Sequence, residues 1–118
     1  MRDKEVITQR VLDYVEGWYQ ADVDRMDRTL SPHLAKRRIV STEEIWEVTK
    51  GNMLKLTGEG RGRIDTPEKG RKEITILDQT ETMASVKIVS EQFTDYLHLA
   101  KVADTWSIVN ALWDYHPE

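Results

Sequence analysis

Two polar residues, Asp95 and Asn110, stand in otherwise apolar stretches near the end of the chain, and their side chains could serve proton transfer. Asp95 lies in QFTDYLHLAKV, and Asn110 lies in TWSIVNALWDYH. A carboxyl group among apolar side chains has its charged form disfavoured, which raises its pKa toward values useful for acid–base catalysis. The alternative is structural: Asp95 accepts hydrogen bonds from a Tyr or Trp side chain, and Asn110 is partnered likewise. The structural role is favoured, because every buried polar group needs a partner.

His33 is a second candidate for acid–base chemistry. It follows Pro32 in the segment LSPHL, and a histidine there could exchange a proton near neutral pH or bind an anionic group of a ligand. The structural alternative is a side chain that stabilises a turn through nearby backbone groups. This alternative is favoured, because the sequence ties no second catalytic group to His33.

Three aromatic residues, Tyr14, Trp18 and Trp46, could line a pocket for a flat ligand. Ring faces stack on flat compounds, and the polar tips of Tyr and Trp form hydrogen bonds. The chain has four Trp and four Tyr but one Phe, so it favours aromatic side chains that carry a polar group. A helical aromatic stripe is equally typical of a packed core, and the sequence leaves cavity and core open.

The sequence indicates no metal site, no cofactor and no thiol nucleophile. It contains no Cys, and its three His residues lack paired ligand spacing. It also contains no phosphate loop, dinucleotide fingerprint or Gly-x-Ser-x-Gly motif. We therefore predict that the protein uses no cofactor.

The elements that must position these residues are predicted first from helical periodicity. Apolar residues at three- and four-residue steps predict the longest helix over 3–20 and a short helix over 23–30, with Asp22 as N-cap. A Ser-x-x-Glu capping box at 41–44 predicts a third helix that ends near Gly51. Residues 36–40 are a candidate short strand between these helices.

The segment 50–72 differs in composition from the rest of the chain. It holds five of the six glycines and carries seven basic against three acidic side chains, a local charge of 7 − 3 = +4. The glycines lack the strand–turn–helix context of a phosphate-binding loop. We predict a mobile, solvated loop.

Alternating polarity after residue 72 predicts four strands, over 72–79, 81–90, 92–102 and 105–116, in an antiparallel meander. Ala103-Asp104 would form a two-residue hairpin turn.

The register of the last two strands predicts two faces of the sheet. If Val102 pairs with Thr105, Leu97 lies opposite Asn110 on the face that also carries Asp95, and we predict that this is the ligand face. The opposite face would be a dimer interface formed by Tyr96, His98, Val109, Trp113 and Tyr115. Both faces are largely apolar, and an antiparallel sheet of that kind needs cover on both sides.

Composition restricts the class of protein. The 118 residues, with 17 basic and 21 acidic side chains and a net charge of −4, predict one domain over 1–118 that does not bind nucleic acid. No run approaches the ~20 apolar residues of a membrane span, and the start MRDKEVITQR lacks the apolar stretch of a signal peptide. We expect a cytoplasmic protein.

Several segments, in this order and spacing, resemble a known superfamily: VLDYVEGWY at 11–19, LSPHLAKR at 30–37, ASVKI at 84–88, DYLHL at 95–99 and WSIVN at 106–110. They are similar to the cone-shaped fold of nuclear transport factor two, ketosteroid isomerase and scytalone dehydratase, and most of all to bacterial proteins called SnoaL-like or putative lumazine-binding. The resemblance implies an α+β, cystatin-like cone. In such a cone three N-terminal helices pack on a curved antiparallel sheet, a pocket lies between the two layers, and the proteins are commonly sheet-mediated homodimers. It implies no particular reaction, because members include isomerases, dehydratases, cyclases and transport factors.

Three functions fit these observations. The primary interpretation is a protein that binds a small, mainly apolar or aromatic molecule in an aromatic-rimmed pocket. The first alternative is a ketosteroid-isomerase-like or dehydratase-like enzyme in which Asp95 or His33 moves a proton while Tyr14 or Asn110 stabilises an oxyanion. The second is a non-catalytic dimeric interaction module with a filled interior. The sequence does not decide between enzyme and binding protein.

Overall fold

The computed structural model describes residues 2–117, beginning with the long helix α1 (Arg2–Gln20). Its apolar side chains recur every three or four positions, so they form one buried face that includes Ile7, Val11 and Val15. Asp3 and Glu5 lie in its first turn, where negative charge suits the helix dipole. The predicted first helix is confirmed.

Two shorter helices follow. In α2 (Val23–Thr29), the Asp22 side chain accepts a hydrogen bond from the Arg25 backbone N–H, so the predicted N-cap is confirmed. The helix α3 (Lys50–Gly58) begins later than predicted. Its capping box is formed by Thr49 and Asn52, so the prediction of a helix capped at Ser41 is wrong.

The glycine-rich segment is more ordered than predicted. It contains α3 and a short 3-10 helix, η1 (Pro67–Lys69). The Tyr19 hydroxyl donates a 2.7 Å hydrogen bond to the Arg71 carbonyl oxygen. A Cβ on the buried Gly70 would lie 2.5 Å from the Tyr19 ring, so only glycine fits there. The prediction of a mobile loop over all of 50–72 is therefore wrong.

One six-stranded sheet covers the helices, in the order β2-β1-β6-β5-β4-β3. The four predicted C-terminal strands are present as β3 (Glu73–Gln79), β4 (Met83–Val89), β5 (Phe93–Val102) and β6 (Thr105–Tyr115). They form the predicted antiparallel meander. The candidate strand at 36–40 is part of the longer β1 (Leu30–Ile39), and residues predicted as helix form β2 (Ile45–Val48). Because β1 pairs parallel to β6, the sheet is mixed and not purely antiparallel.

A bulge at Val109 changes which side chains of β6 face the helices. Val102 pairs with Thr105 and Leu99 with Ile108, as predicted, but His98 then pairs with Asn110 and Val109 has no partner in the ladder. One extra residue in a strand moves all later side chains to the opposite face. The predicted register is therefore wrong beyond Leu99.

The core lies between the inner face of the sheet and the helices. Its members include Met26 of α2 and Leu30, which follows that helix directly. Leu97, Leu99 and Ile108 contribute from the sheet, and all five are at most 2% exposed. Burying a side chain of this size stabilises a fold by roughly 1.5–3 kcal/mol. Within residues 2–117, no helix combines the length and the apolar character that crossing a membrane requires.

Candidate functional site

A cavity of about 360 Å³ lies between the helices and the inner face of the sheet. Helix α1 contributes three side chains, α3 two, and every strand except β3 at least one. Exposed Arg61 and Gln92 belong to the polar part of the lining. The lining residues are Tyr14, Val15, Trp18, Lys36, Trp46, Val48, Met53, Leu56, Arg61, Ile88, Ser90, Gln92, Phe93, Asp95, Trp113 and Tyr115.

Three polar side chains, from α1, β1 and β5, form a hydrogen-bonded chain in the cavity wall. The Tyr14 hydroxyl donates a 2.8 Å bond to Asp95 Oδ2. Lys36 Nζ donates to the same hydroxyl oxygen at 2.5 Å. Lys36 is half-buried, whereas Asp95 is 4% and Tyr14 6% exposed.

Burial changes the acid–base properties of this chain. Desolvation raises the pKa of Asp95, an effect that the nearby Lys36 charge and the Tyr14 hydrogen bond oppose. Desolvation also lowers the pKa of Lys36 and, together with the Asp95 charge, raises the pKa of Tyr14. Each group is thereby shifted toward its neutral form. A proton can thus be exchanged between Lys36 and Asp95 more easily than between the same groups in water.

Aromatic rings form much of the remaining wall. Phe93, Trp113 and Tyr115 contact one another edge-on or tilted, with ring centroids 5.1–5.5 Å apart. The Arg38 guanidinium lies 4.8 Å from the Tyr115 centroid and 5.4 Å from that of Trp46, while it also pairs with Asp114 at 2.8 Å. Such packing restrains the rings, and the guanidinium lies over one face of Tyr115 and of Trp46.

The position of Trp18 depends on Gly62, which follows α3. A Cβ at Gly62 would lie 2.2 Å from Nε1 and Cε2 of the Trp18 indole. Any other residue at this position would force the ring or the backbone to move. The glycine-rich segment therefore helps to shape the cavity.

The predicted ligand residues divide into three groups by position. Tyr14, Trp18 and Trp46 line the cavity, although Trp46 lies on strand β2 and not on a helix. Leu97 is fully buried in the core and does not line it. Asn110 lies on the opposite face of the sheet, exposed, with its side-chain nitrogen 3.3 Å from His98 Nδ1. The placement of Asn110 beside Asp95 is wrong because of the Val109 bulge.

The two catalytic candidates also separate. Asp95 lies in the cavity wall, as predicted. His33 is exposed on β1, where its backbone N–H donates to Ser31 Oγ at 3.0 Å, and it is not among the residues that line the cavity. The structure therefore does not bring His33 together with Asp95.

The residues predicted for a dimer interface lie on both sides of the sheet. Tyr96 and His98 are exposed on the outer face, and Val109 is the half-buried bulge residue. Trp113 and Tyr115 line the cavity. Their predicted register on the outer face is wrong, because β6 has changed face beyond the bulge. Both also border the surface groove that Tyr96 and Leu112 line.

Sequence reasoning missed Lys36 and assigned Trp113 and Tyr115 to the wrong face. The run Lys36-Arg37-Arg38 shows no alternation of polarity, so no signal indicates which side chains point inward.

Among residues 2–117, no group of three or more His, Asp or Glu side chains could hold a metal ion.

Solved structures share this fold at low sequence identity. An NTF2-like protein of unknown function from Methylobacillus flagellatus has a TM-score of 0.81 and 18% identity, over 99% of this chain and 94% of that chain. A protein of unknown function with a cystatin-like fold from Nostoc punctiforme has a TM-score of 0.69 and 10% identity, over 98% and 92%. A "putative dehydratase from the NTF2-like family" of Streptomyces avermitilis has a TM-score of 0.65 and 10% identity, over 99% and 98%. These likenesses confirm the predicted fold class.

A search of curated proteins finds no match to the chain. The family model described as "Putative lumazine-binding" matches residues 2–114. This match confirms the resemblance carried by the sequence segments, and it spans nearly the whole chain. The protein therefore belongs to the family described as putative lumazine-binding, within the NTF2-like fold.

Proposed function

We propose that the protein binds a flat, mainly apolar ring compound whose polar edge meets Lys36, Tyr14 and Asp95. The observation that carries the proposal is one cavity with aromatic side chains on its walls and a buried polar chain in the same lining. Small-molecule sites typically combine an apolar, aromatic lining with a few convergent polar groups that fix the orientation of the ligand.

The size of the cavity limits the ligand. Its volume of about 360 Å³ lies near the lower end of the ~300–1,000 Å³ range of ligand pockets. A compound of two or three fused rings suits such a volume, and the name of the family suggests lumazine, a two-ring compound with carbonyl groups, as a first probe. Trp18 and Trp113 would contact the ring faces, and Lys36 would donate a hydrogen bond to a carbonyl oxygen.

Calorimetric titration tests this proposal with lumazine and 2-naphthol as probes, each up to ~100 µM. In the variant Val48→Phe a larger side chain would occupy part of the cavity, whereas Val102→Phe changes a residue that is 68% exposed and remote from it. We expect saturable binding of at least one probe by the wild type and by Val102→Phe, and loss of binding in Val48→Phe. Failure of every probe to bind would contradict the proposal and favour an interaction module.

A second candidate function is proton transfer by Asp95, as in an isomerase-like or dehydratase-like enzyme. The raised pKa of the buried Asp95 carboxyl and its bond from the Tyr14 hydroxyl favour it. For a ring compound that binds and is turned over, Asp95→Asn should abolish turnover while binding remains within about tenfold of the wild type. Binding without turnover of any bound compound would leave the binding protein as the function.

We also propose that a second copy of the chain covers the outer face of the sheet. Tyr96 and Leu112 are directly paired on β5 and β6 and are 49% and 48% exposed. Ile39, 49% exposed, lines the same surface groove. Contiguous exposed apolar side chains of this kind are typical of interfaces.

A further inference from the structure

We propose that Lys36 is a nucleophile that forms a Schiff base with an aldehyde or ketone group of the ring compound in the cavity. This inference rests on the proposed binding function and narrows the ligand class to carbonyl compounds. It depends on the position of Lys36 Nζ and on the hydrogen-bonded path that leads from it. It also depends on the absence, within the described residues 2–117, of a carboxylate in direct contact with Nζ.

The surroundings of Lys36 differ from those of three other half-buried lysines. Lys50, Lys72 and Lys101 each have a carboxylate oxygen within 3.1–3.3 Å, in ion pairs with Asp27, Glu16 and Asp3. A fourth, Lys87, lies over the Tyr96 ring on the surface groove and does not line the cavity. Over residues 2–117, Lys36 has no such direct ion pair. Its Nζ instead contacts the Tyr14 hydroxyl and lies 4.9 and 5.5 Å from the ring centroids of Tyr14 and Trp113. Desolvation lowers the pKa of Lys36 and makes the amine more nucleophilic, whereas the ring faces and the Asp95 charge favour the ammonium.

The hydrogen bonds around Tyr14 run in the direction that deprotonates Lys36. Lys36 Nζ donates to the Tyr14 hydroxyl oxygen, and that hydroxyl donates to Asp95 Oδ2. A proton can therefore pass from the ammonium to the tyrosine oxygen while the tyrosine proton passes to the carboxylate. Tyr14 stays neutral at the end of this transfer. The raised pKa of Asp95 and the lowered pKa of Lys36 both favour it.

The proposed reaction balances without an oxidant or a reductant. The neutral amine attacks the carbonyl carbon, a C–N bond forms, and the carbonyl oxygen takes up one proton from the attacking nitrogen to give a carbinolamine. Protonated Asp95 then returns its proton through Tyr14 to the hydroxyl, which leaves as water while the nitrogen lone pair forms the C=N bond. The net change converts an ammonium and a carbonyl group into a protonated imine and one water. Tyr14 and Asp95 act as proton carriers, and Lys36 forms the bond.

Reductive trapping tests the inference in the full-length protein. The protein is incubated with 2-naphthaldehyde and sodium cyanoborohydride, and the naphthylmethyl adduct is located by intact mass and peptide mapping. We expect Lys36 to be modified at least about tenfold faster than the exposed Lys55, because the cavity holds the aldehyde beside Nζ. Modification of Lys36 no faster than of Lys55 would overturn the inference.

Two variants and one competitor identify the cause of the labelling. Lys36→Met should abolish the fast adduct, whereas Lys55→Met should retain it. Tyr14→Phe should keep the site of modification but slow it, since the proton path is cut. Added 2-naphthol, which has the same rings but no carbonyl group, should compete with the aldehyde.

Failure of the Schiff base and failure of the binding function give different results. Saturable binding of 2-naphthol with unselective labelling overturns the nucleophilic role of Lys36 and leaves the proposed binding function intact. Neither binding nor selective labelling overturns both. The peptide map of the wild type decides the matter even if Lys36→Met does not fold.

Discussion

Replacing Gly62 by alanine should move Trp18 and thereby weaken ligand binding more than it weakens the fold. The new Cβ would lie 2.2 Å from the indole of Trp18, whereas carbon atoms pack at about 3.5–4.0 Å. The two groups must therefore separate by roughly 1.3 Å. Gly62 is not among the glycines with positive φ, so alanine itself fits the backbone there.

The structure indicates which group moves. The Trp18 ring borders a cavity of about 360 Å³, so it can retreat into open space without displacing the backbone. Overpacking without such space costs about 1–3 kcal/mol, and Gly→Ala at a compatible position returns ~0.4–1 kcal/mol through the unfolded state. We therefore expect the melting temperature to fall by no more than about 5 °C. A displaced ring loses a stacking contact worth about 0.5–1.5 kcal/mol, or roughly a two- to twelvefold loss of affinity.

The assays are thermal unfolding by circular dichroism and calorimetric titration with a ring compound that binds the wild type. Gly51→Ala is the matched control, because its Cβ would meet only Thr49 Oγ1, at 3.8 Å, within helix α3. We expect Gly51→Ala to retain affinity and to gain up to ~1 kcal/mol of stability. Unchanged affinity in Gly62→Ala would refute the role given to Trp18. A loss of more than ~1 kcal/mol of stability, the lower end of the cost of overpacking without space, would refute the claim that the ring can move freely.

Two further predictions concern the buried carboxyl group and the outer face. Burial raises the folded-state pKa of Asp95, so wild-type stability falls as pH rises from the unfolded-state pKa through the folded one. In urea unfolding from pH 4 to 8, Asp95→Asn should therefore gain stability relative to the wild type as pH rises, with Asp78→Asn, at an exposed position, as the control. A stability difference between Asp95→Asn and wild type that stays constant with pH would contradict this. Light scattering after size exclusion at tens of micromolar measures the dimer. Tyr96→Lys should raise the dissociation constant of the dimer about thirtyfold, whereas Thr80→Lys, at an exposed position, should leave it unchanged. A monomeric wild type would disprove the interface.

Local signals explain why much of the fold could be predicted from the sequence. The apolar periodicity of α1 and the Asp22 cap depend on residues close in the chain, and both are confirmed. The same holds for the tight turn between β5 and β6. Ala103 and Asp104 adopt φ of 52° and 61°, the left-handed conformations that a two-residue hairpin with right-handed twist requires.

The errors lie where strand pairing overrides a helical pattern. Ser41-Thr42-Glu43-Glu44 has the form of a capping box, but the next residues pair with β1 through Ile39↔Ile45 and Lys36↔Val48. A strand added to a sheet edge satisfies backbone groups that the helix would have satisfied locally. The sequence gives little signal for helix α3, because the helix contains Gly51 and Gly58 and buries only Met53 and Thr57.

The bulge at Val109 decides the composition of the candidate site, and the hydrophobic pattern of β6 could not predict it. Without the bulge, Asn110 and Leu112 would face the helices; with it, Ala111 and Trp113 do, and Leu112 remains 48% exposed. Exposing a leucine costs up to ~1.5–3 kcal/mol, and burying an amide without a partner costs ~1–3 kcal/mol. Because the two costs are similar, neither register is excluded by polarity alone. In the bulged register β1 pairs parallel to β6 and brings Lys36 beside Ala111. This pairing places both the Lys36 amine and the Trp113 ring in the cavity. The two strands lie more than 70 residues apart in the chain, so no local sequence pattern predicts the site.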